Sequence, residues 1–427
     1  MVKRIGVFPA GSEIGLEICS AMKYAKQFQL VGLSSVPSHA SYVFNENIDN
    51  LPNYYESNFI DELNKIINEL NIDMIYPAYD DIQLFLTENQ KNISAQIITS
   101  SIDTVKTCRF KSKTYQTLSK CDFVPTTYDD IDVIKKYPVF VKPDRGQGSQ
   151  GARKVDTRKE LEFIIDNDSD LIICEYLQGK EYTINCFTDY RGILLSCSMR
   201  DRLRIKNGIS VSSKIIEAND KIKNIAMAIN KEFSFSGAWF FQVKENEVGE
   251  YKLLEVAPRI AGTMGLDRNK GINYPLLTIY TKMGMAVDII QNQYKIKVDR
   301  ALISRYQIDY DYQNVYVDLD DTIIVNEKVN SYLMMFLYQS INKGKSLFLI
   351  TKHIKDVEST LKNNRISLDL FKEIIHIDNT DDKAKYIREN NAIFIDDSFS
   401  ERKNISIKCN IPVFDVSEIE SLIDWRM

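Results

Sequence analysis

Three short apolar runs near the end of this chain each lead into charged or hydroxyl side chains, and no other feature constrains the fold as strongly. The first is residues 315–322, Val-Tyr-Val-Asp-Leu-Asp-Asp-Thr, which predicts a buried strand that ends in Asp318 and Asp320. Side chains alternate between the two faces of a strand, so both carboxylates are expected to point the same way. Neighbouring carboxylates need a cation or a shared proton, which favours an active site over a packing role.

The second and third runs end in similar chemistry. Residues 347–351 form an apolar stretch that closes on Thr351, and residues 393–397 form another that closes on Asp396 and Asp397. The carboxyl ends of parallel strands form the edge of the sheet where α/β proteins bind ligands. We therefore expect these side chains to meet at one site.

With Lys383, which lies between the second and third runs, the ordered set resembles the haloacid dehalogenase superfamily of phosphotransferases over about the last quarter of the chain. The resemblance implies that Asp318 attacks phosphorus to give an aspartyl-phosphate, and that Asp320 serves as general acid and base. Thr351 and Lys383 would hold the phosphoryl oxygens, with Lys385 as the alternative lysine.

The same resemblance implies a magnesium ion on Asp318, on the backbone carbonyl of Asp320 and on Asp396 or Asp397, because a hard cation takes oxygen ligands. The stretches on both sides of Thr351 each have room for about one helix, not for an inserted lid domain. The sequence therefore predicts a capless, Rossmannoid phosphatase domain with an open site. Its substrate would be a phosphate ester that the sequence does not identify.

Composition predicts a globular chain of two or three domains. The 427 residues are 44% hydrophobic and 26% charged, with a net charge of −5. This balance gives no reason to expect nucleic-acid or anionic membrane partners. No apolar run approaches the ~18 residues that a membrane span needs, so no membrane association is expected.

Cysteine and histidine usage gives little sign of metal chemistry. The seven cysteines are scattered without a Cys-x-x-Cys pair and are interpreted as thiols in a reducing compartment. His39, His353 and His376 lack the spacing of a zinc site or a Ser-His triad and are interpreted as incidental. A cytoplasmic enzyme is therefore expected.

The N-terminus predicts a Rossmann-like opening. Residues 4–15 read as a strand, a glycine turn and the start of a helix, and residues 28–34 and 73–77 read as further strands. The glycine spacing is not Gly-x-Gly-x-x-Gly, so a dinucleotide site is not expected. We expect a parallel sheet up to about residue 100, with Gly11 and Asp80 as its residues nearest to a neighbouring site.

A phosphate-binding loop is predicted next. Residues 137–143 form a strand that carries Lys142 near its end. The loop that follows, residues 144–151, reads Asp-Arg-Gly-Gln-Gly-Ser-Gln-Gly and includes Gly148 and Ser149. Its glycines allow backbone N–H groups to approach phosphate oxygens, and the lysine supplies positive charge.

Three further strands are predicted at residues 171–177, 237–243 and 251–256. The first is followed by a polar stretch that contains Glu181. The other two are joined by a turn and carry Gln242 and Glu255, with Arg259 shortly after them.

In this order, the residues resemble the ATP-grasp superfamily, particularly its carbamoyl phosphate synthetase and carboxylate-amine ligase branch, over about residues 1–300. The resemblance implies an ATP site in which Lys113 and Lys142 bind the phosphates beside Gly148 and Ser149. Backbone groups of one strand would read the adenine, at the positions Glu175, Tyr176 and Leu177.

The resemblance also implies that Glu181 holds the ribose hydroxyls, that Gln242 and Glu255 bind Mg²⁺, and that Arg259 lies beside the transferred phosphoryl group. One position departs from the family. Ala257 stands where the family commonly has an asparagine that binds a second magnesium ion, so we expect a weaker second metal site without loss of transfer.

A basic segment lies between these motifs. Arg200, Arg202, Arg204 and Lys206 precede a Gly-Ile-Ser-Val-Ser-Ser stretch at residues 208–213. Arginine makes two-point contacts with carboxylate and phosphate groups, so the segment could hold the carboxylate substrate or the acyl phosphate. A solvated basic strand is the alternative, and the sequence leaves both open.

The sequence thus predicts an α/β chain with an α+β ATP-grasp part: a Rossmann-like domain at 1–100, an ATP-grasp domain at 101–300 and a haloacid dehalogenase-like domain at 301–427. We expect a bifunctional enzyme that uses ATP and Mg²⁺, namely an ADP-forming carboxylate-amine ligase of small molecules joined to a phosphatase. An ATP-dependent kinase joined to a phosphatase, and an ATP-binding regulatory protein with little turnover, are the alternatives. The substrates and the oligomeric state are not identified.

Overall fold

The computed structural model describes residues 2–146, 148, 150–168, 170–206 and 208–426. The chain divides into two units, Met1–Leu302 and Ile303–Met427. This division lies close to the predicted boundary at residue 300, and the boundary at residue 100 stays a prediction. Within the described ranges, no helix is both long and apolar enough to cross a membrane.

A parallel sheet opens the first unit. Its strands are β1 Lys3–Phe8, β2 Phe28–Leu33, β3 Glu46–Ile48, β4 Met74–Pro77 and β5 Gln96–Ile97. They pair in parallel in the order β3-β2-β1-β4-β5, as the sequence predicts for this region. Helices α1 Glu13–Met22, α2 Phe59–Glu69 and α3 Asp80–Glu88 connect them. Ile5 and Val7 of the central strand are fully buried, because apolar side chains cover both faces of the sheet.

Two short helices, α4 Ile102–Arg109 and α5 Lys111–Thr117, lead into a four-stranded antiparallel sheet. Its elements are β6 Thr127–Tyr128, β7 Val139–Pro143, β8 Arg153–Val155, helix α6 Arg158–Asn167 and β9 Leu171–Glu175. The strand order is β6-β9-β7-β8. Val139 and Val141 pack with Leu161 of α6 on one face. Because strand side chains alternate, Lys142 lies on the opposite face.

A seven-stranded antiparallel sheet forms the rest of the first unit. Its strands are β10 Glu181–Thr188, β11 Leu194–Asp201, β12 Arg204–Lys206, β13 Ile209–Ile216, β14 Gly237–Glu245, β15 Tyr251–Ala257 and β16 Lys297–Asp299. The order is β12-β13-β11-β10-β14-β15, with β16 beside β13. Its helices are α7 Asp220–Glu232, α8 Gly265–Arg268 and α9 Tyr274–Lys282. Ile184, Trp239 and Phe241 pack with α7 on one face, which leaves the opposite face for polar side chains.

The second unit is built on another parallel sheet. Its strands are β17 Asn314–Val317, β18 Ile324–Val325, β19 Lys328–Val329, β20 Ser346–Thr351, β21 Glu373–His376, β22 Ala392–Ile395 and β23 Val413–Phe414. Five of them pair in the order β21-β20-β17-β22-β23, and β18 and β19 form a separate hairpin. Helices α10 Ser331–Asn342, α11 Val357–Asn363 and α12 Phe399–Cys409 complete the unit.

The connections in the second unit are short, as predicted. Between β17 and β20 the described residues form only the β18–β19 hairpin and α10. Between β20 and Lys383 they form α11, one short 3₁₀ turn and β21. No additional domain is inserted in either described stretch.

Candidate functional site

Two adjoining cavities lie in the first unit, with volumes of about 450 Å³ and about 150 Å³. Eight residues line both of them: Lys111, Gly146, Gly148, Gln150, Arg202, Gly208, Gln242 and Glu255. The predicted loop residue Gly148 is therefore at the cavities, whereas Ser149 lies outside the described residues. Most of the side chains predicted for the ATP site converge on this one region.

Lys142 lies at the smaller cavity, as the sequence predicts. Its Nζ donates hydrogen bonds to Tyr115 Oη at 2.8 Å and to the Leu254 carbonyl at 3.1 Å. Burial lowers the pKa of this ammonium group, because the charged form loses hydration. In the described residues no carboxylate lies within ion-pair distance of it, so the charge is available to an anion.

Lys113 does not lie at either cavity, and Lys111 does. Lys113 is exposed and its Nζ lies 4.4 Å from the centre of the Phe110 ring. Lys111 lines both cavities, and its Nζ donates to the carbonyls of Pro143 and Asp144 at 3.0 and 3.2 Å. Tyr115, four residues further along α5, is buried, and a helix places residues four apart on one face. That pattern could have identified Lys111 from the sequence.

The predicted adenine strand is only partly at the smaller cavity. Glu175 and Leu177 line it. The Glu175 carboxylate accepts a hydrogen bond from the Thr126 backbone N–H at 2.9 Å, so that carboxylate is already held. Tyr176 does not line this cavity, and its ring centre lies 5.4 Å from the Lys154 ammonium group.

Arg202 links two predicted ligand-binding side chains. It forms an ion pair with Glu181, and its NH1 donates to Gln242 Oε1 at 2.9 Å. Its NH2 donates to the Gly208 carbonyl at 2.7 Å. A ribose hydroxyl at Glu181 would therefore share that carboxylate with a guanidinium group.

Gln242 and Glu255 lie directly opposite each other on β14 and β15. Opposite residues of an antiparallel pair share one face of the sheet, with Cβ atoms about 5 Å apart. Both offer oxygen atoms to the cavities, and this donor set fits Mg²⁺. Ala257, two residues beyond Glu255, is buried on the same face and offers no side-chain ligand.

Arg259 is held in a two-point ion pair by Asp80. Its Nε and NH2 each lie 2.6 Å from an oxygen of that carboxylate, and both residues line the larger cavity. Burial opposes ionisation of Asp80, but the Arg259 charge outweighs it and holds the pKa of the carboxyl group below its usual value. Asp80 begins α3, so the first parallel sheet does contribute to the site.

The neighbouring Asp81 anchors the glycine loop. Its carboxylate pairs with Arg109 at 2.9 Å and with Arg145 at 2.5 Å, and Arg109 NH1 donates to the Gly146 carbonyl at 3.4 Å. Gly11 lines neither cavity, although its neighbour Ser12 lines the larger one. A Cβ atom at Gly11 would lie 2.3 Å from Ser38 Oγ, so this glycine permits the close turn before α1.

In the second unit, Lys383 joins two buried carboxylates. Its Nζ donates to Asp318 Oδ1 and to Asp396 Oδ2, both at 2.6 Å. Burial raises the pKa of Asp318 to about 7, while Lys383 opposes the rise and Asp396 adds to it. The buried partner carboxylate of Asp318 is therefore Asp396, not Asp320 as the strand pattern implied. That pattern fails because β17 ends at Val317, so alternation does not extend to Asp320.

The alternative lysine is directed elsewhere. Lys385 pairs with Asp381 at 2.7 Å on the surface, whereas Lys383 is buried. Asp382 caps the turn that carries both lysines and accepts a hydrogen bond from the Ala384 N–H at 2.9 Å. The turn thereby separates the directions of the two side chains, and only Lys383 meets the paired carboxylates.

Three carboxylates of this unit could hold one metal ion. One oxygen each from Asp318, Asp396 and Asp397 lies within 4.8 Å of the others. Thr322 Oγ1 donates to Asp397 Oδ1 at 3.2 Å and accepts from the Asp397 N–H at 3.0 Å, which fixes that carboxylate. The all-oxygen set fits Mg²⁺. The Asp320 side chain is not part of the cluster.

His353 has a place in this site, contrary to its interpretation as incidental. Its Nδ1 lies 2.8 and 3.0 Å from the two oxygens of Asp320, and its Nε2 lies 2.8 Å from Thr360 Oγ1. The Thr360 hydroxyl donates to the Asp356 carbonyl at 3.0 Å, so it accepts from the Nε2–H of His353.

Thr351 is fully buried, and its Oγ1 accepts from the His353 backbone N–H at 3.2 Å.

Comparison with known proteins bears on the first unit. Residues 167–302 match the family described as "ATP-grasp in the biosynthetic pathway with Ter operon". The chain is also similar to the carbamoyl phosphate synthase large chain of Methanobrevibacter smithii, with 26% identity over 262 residues. That match covers 54% of this chain and 25% of the relative, so the chain spans about a quarter of the curated relatives' length.

Solved structures share the fold at low sequence identity. The N5-carboxyaminoimidazole synthetase of Staphylococcus aureus, solved with ADP, has a TM-score of 0.59 at 16% identity and covers 70% of this chain and 82% of that one. The biotin carboxylase of Campylobacter jejuni has a TM-score of 0.57 at 18% identity, over 67% and 72% of the two chains. Residues 167–302 are therefore similar to an ATP-grasp family, and the solved structures show that the chain shares their fold.

Proposed function

We propose that the first unit is an ADP-forming ATP-dependent ligase that joins a small carboxylate to an amine. The observation that carries the proposal is the facing pair Gln242 and Glu255 beside cavities that hold two lysines, Lys111 and Lys142, without carboxylate partners at ion-pair distance in the described residues. A magnesium–nucleotide phosphate group needs oxygen ligands for the metal and positive charge for the phosphates. The ADP complex of the S. aureus synthetase is consistent with that ligand here.

The proposed reaction has two steps, phosphoryl transfer to the carboxylate and displacement of the phosphate by the amine. A carboxylate oxygen of the acceptor attacks the γ-phosphorus of ATP, and the bond between the γ-phosphorus and the β–γ bridging oxygen breaks. The products of this step are an acyl phosphate and ADP. The amine nitrogen then attacks the acyl carbon, inorganic phosphate leaves, and the nitrogen loses a proton. Mg²⁺ on Gln242 and Glu255 would neutralise charge on the phosphates when bound.

The chain's own residues orient these groups. Lys111 and Lys142 hold the nucleotide phosphates, and Gly146 and Gly148 allow the loop backbone to approach them. Arg259, fixed by Asp80, lies ready for the transferred phosphoryl group. Because Ala257 offers no side-chain ligand, the second metal position has one ligand fewer and binds its ion more weakly. Glu255 is then the remaining side-chain ligand of that position.

We further propose that the second unit is a haloacid dehalogenase-like, Mg²⁺-dependent phosphatase of open, Rossmannoid architecture. The contact of Lys383 with both Asp318 and Asp396 supports it. Asp318 attacks phosphorus, and Asp320 gives a proton to the leaving oxygen. Asp320 then takes a proton from water, which displaces the phosphate and regenerates Asp318.

The cytoplasm is the proposed compartment, because all seven cysteines are free thiols. The proposed partners are small molecules: a carboxylate, an amine and a phosphate ester.

The two activities are tested together on the full chain. Pools of carboxylates and amines are screened for ADP formation by the unmodified protein, with mass detection of the ligated product, and aryl phosphate hydrolysis is followed in parallel. Glu255→Gln should stop ADP formation and leave hydrolysis intact, and Asp318→Asn should do the reverse. ADP formation without an amine, with a stable phosphorylated acceptor, would instead indicate a kinase. Tight ATP binding without turnover would indicate a regulatory protein.

A further inference from the structure

The arginines that line the larger cavity differ in one respect, which is whether a carboxylate neutralises them. Four of them form ion pairs: Arg109 with Asp81 at 2.9 Å, Arg202 with Glu181, Arg259 with Asp80 at 2.6 Å, and Arg300 with Glu13 at 2.9 Å. Arg200 lines the same cavity and has no carboxylate within ion-pair distance in the part of the chain that the structure describes.

Arg200 is also deeply buried, with 4% of the residue exposed. Its NH1 donates to Ser213 Oγ at 3.4 Å, and its Nε has no hydrogen-bond acceptor among the described residues. Burial, with the positive charge of Arg202 close by, lowers the pKa of this guanidinium group. The buried Asp267 carboxylate acts on Arg200 only at a distance and forms no ion pair with it among the described residues. A buried guanidinium group without a directly paired carboxylate is unfavourable, so we take its retention as a sign that an anion completes the site.

A second unsatisfied group lies directly opposite. Thr183 on β10 pairs with Arg200 on β11, and its buried Oγ1 has no hydrogen-bond partner among the described residues. On its other side Thr183 pairs with Gln242, which in turn pairs with Glu255. Four neighbouring strands therefore present Arg200, Thr183, Gln242 and Glu255 in one row along the cavity.

The position of each residue in this row indicates which ligand group it would bind. Adjacent strands lie about 4.8 Å apart, so Arg200 is two strands from Gln242 and its long side chain can reach a group held beside the metal ligands. A guanidinium and a hydroxyl at this end match the two oxygens of a carboxylate. The opposite end, at Glu255, supplies the oxygen ligands of the metal.

We propose that Arg200 and Thr183 form the subsite that binds the acceptor's carboxylate group beside the transferred phosphoryl group. The inference rests on the proposed ligase function and adds to it that the acceptor binds as an anion, through these two residues. It also decides between the two interpretations of the basic segment at residues 200–206. Arg200 is a ligand residue, whereas Arg204 is an exposed side chain paired with Asp299.

The test measures ligand binding by calorimetry on the full chain with MgADP present. The probes are acetate, succinate and L-glutamate, each paired with its neutral amide. The unmodified protein should bind at least one carboxylate and discriminate against its amide. Arg200→Gln should weaken that binding by about tenfold or more, Arg200→Lys should restore part of it, and the control Arg204→Gln should leave it unchanged.

Thr183→Val tests the same subsite independently, in case the Arg200 variants do not fold. Its hydroxyl has no hydrogen-bond partner among the residues that the structure describes, so the change should leave the fold stable while still weakening carboxylate binding. The proposal is overturned if the unmodified protein does not discriminate any carboxylate from its amide, or if Arg200→Gln and Thr183→Val bind as the unmodified protein does. Failure of MgADP itself to bind would contradict the ligase function instead, so the two failures are distinguishable.

Discussion

The ammonium group of Lys383 lies 2.6 Å from a carboxylate oxygen of Asp318, and both side chains are buried. The same ammonium group is equally close to Asp396, so one cation serves two carboxylates. Such a cluster keeps excess negative charge that a divalent ion would offset. In the phosphatase that we propose, the chemistry of the second unit would therefore centre on Asp318.

Asp318→Asn should abolish Mg²⁺-dependent hydrolysis of p-nitrophenyl phosphate, because an amide cannot become the aspartyl-phosphate. MgATP binding, measured by calorimetry, should be unchanged. Lys385→Gln is the matched control, since that lysine pairs with Asp381 on the surface and should retain activity. Full activity in the Asn variant would remove Asp318 from the mechanism.

His353→Ala should slow hydrolysis of phenyl phosphate by about tenfold or more and affect p-nitrophenyl phosphate much less. The reason is that His353 contacts both oxygens of Asp320, which in the proposed mechanism protonates the leaving oxygen, and a good leaving group needs that proton least. His353→Asn offers a donor near the Nδ1 position and should recover part of the rate. An equal loss with both substrates would indicate a purely structural histidine.

In the absence of metal, the stability of the second unit should fall as pH rises from about 4 to about 7. Burial raises the pKa of Asp318 to about 7, so the folded state binds more protons than the unfolded state in this window, and its advantage is lost as the pH passes through that value. Asp318→Asn removes this titrating group and its contribution to the pH dependence. The free energy of unfolding of the variant minus that of the unmodified protein should therefore increase by on the order of 2 kcal/mol between pH 5 and pH 8.

The measurement is urea unfolding of the full chain with EDTA, compared at several pH values. A stability difference between the two proteins that stays constant with pH would mean that Asp318 titrates in the folded state as it does in the unfolded chain.

Lys142→Met should weaken MgATP binding by about tenfold, whereas Glu255→Gln should chiefly lower turnover. Lysine contacts phosphate already in the ground state, and the metal contributes most where charge develops in the transition state. Calorimetry and ADP formation on the two variants separate these effects. Equal losses of affinity would contradict the roles given to Lys142 and Glu255.

The sequence predicts best those site residues that regular strands carry. Gln242 and Glu255 lie where strand alternation and the turn between β14 and β15 require them to lie. The resemblance implied Lys113, but Lys111, two residues earlier in the same helix, points about 200° away from it and lines the cavities. The buried Tyr115, four residues after Lys111, is the signal that would have favoured Lys111.

Contacts made by loop residues could not be predicted from the sequence, for a different reason. His353 meets Asp320 across 33 positions of the chain, through loops that follow β17 and β20. Arg202 reaches Gln242 of β14 from the turn between β11 and β12, across 40 positions of the chain. Neither contact leaves a spacing pattern, since each depends on the path of a loop and not on a period.

The central claim, that ATP phosphorylates a carboxylate, is tested most directly by the fate of oxygen. The full chain is incubated with MgATP, a pool of amines and a pool of carboxylates labelled with ¹⁸O at both oxygens, and the mass of the released phosphate is measured. An acyl phosphate intermediate transfers one labelled oxygen to the phosphate, so singly labelled phosphate should appear in proportion to ADP and be absent with Glu255→Gln. ADP accompanied only by unlabelled phosphate would contradict the account, because the carboxylate would then not have been the acceptor.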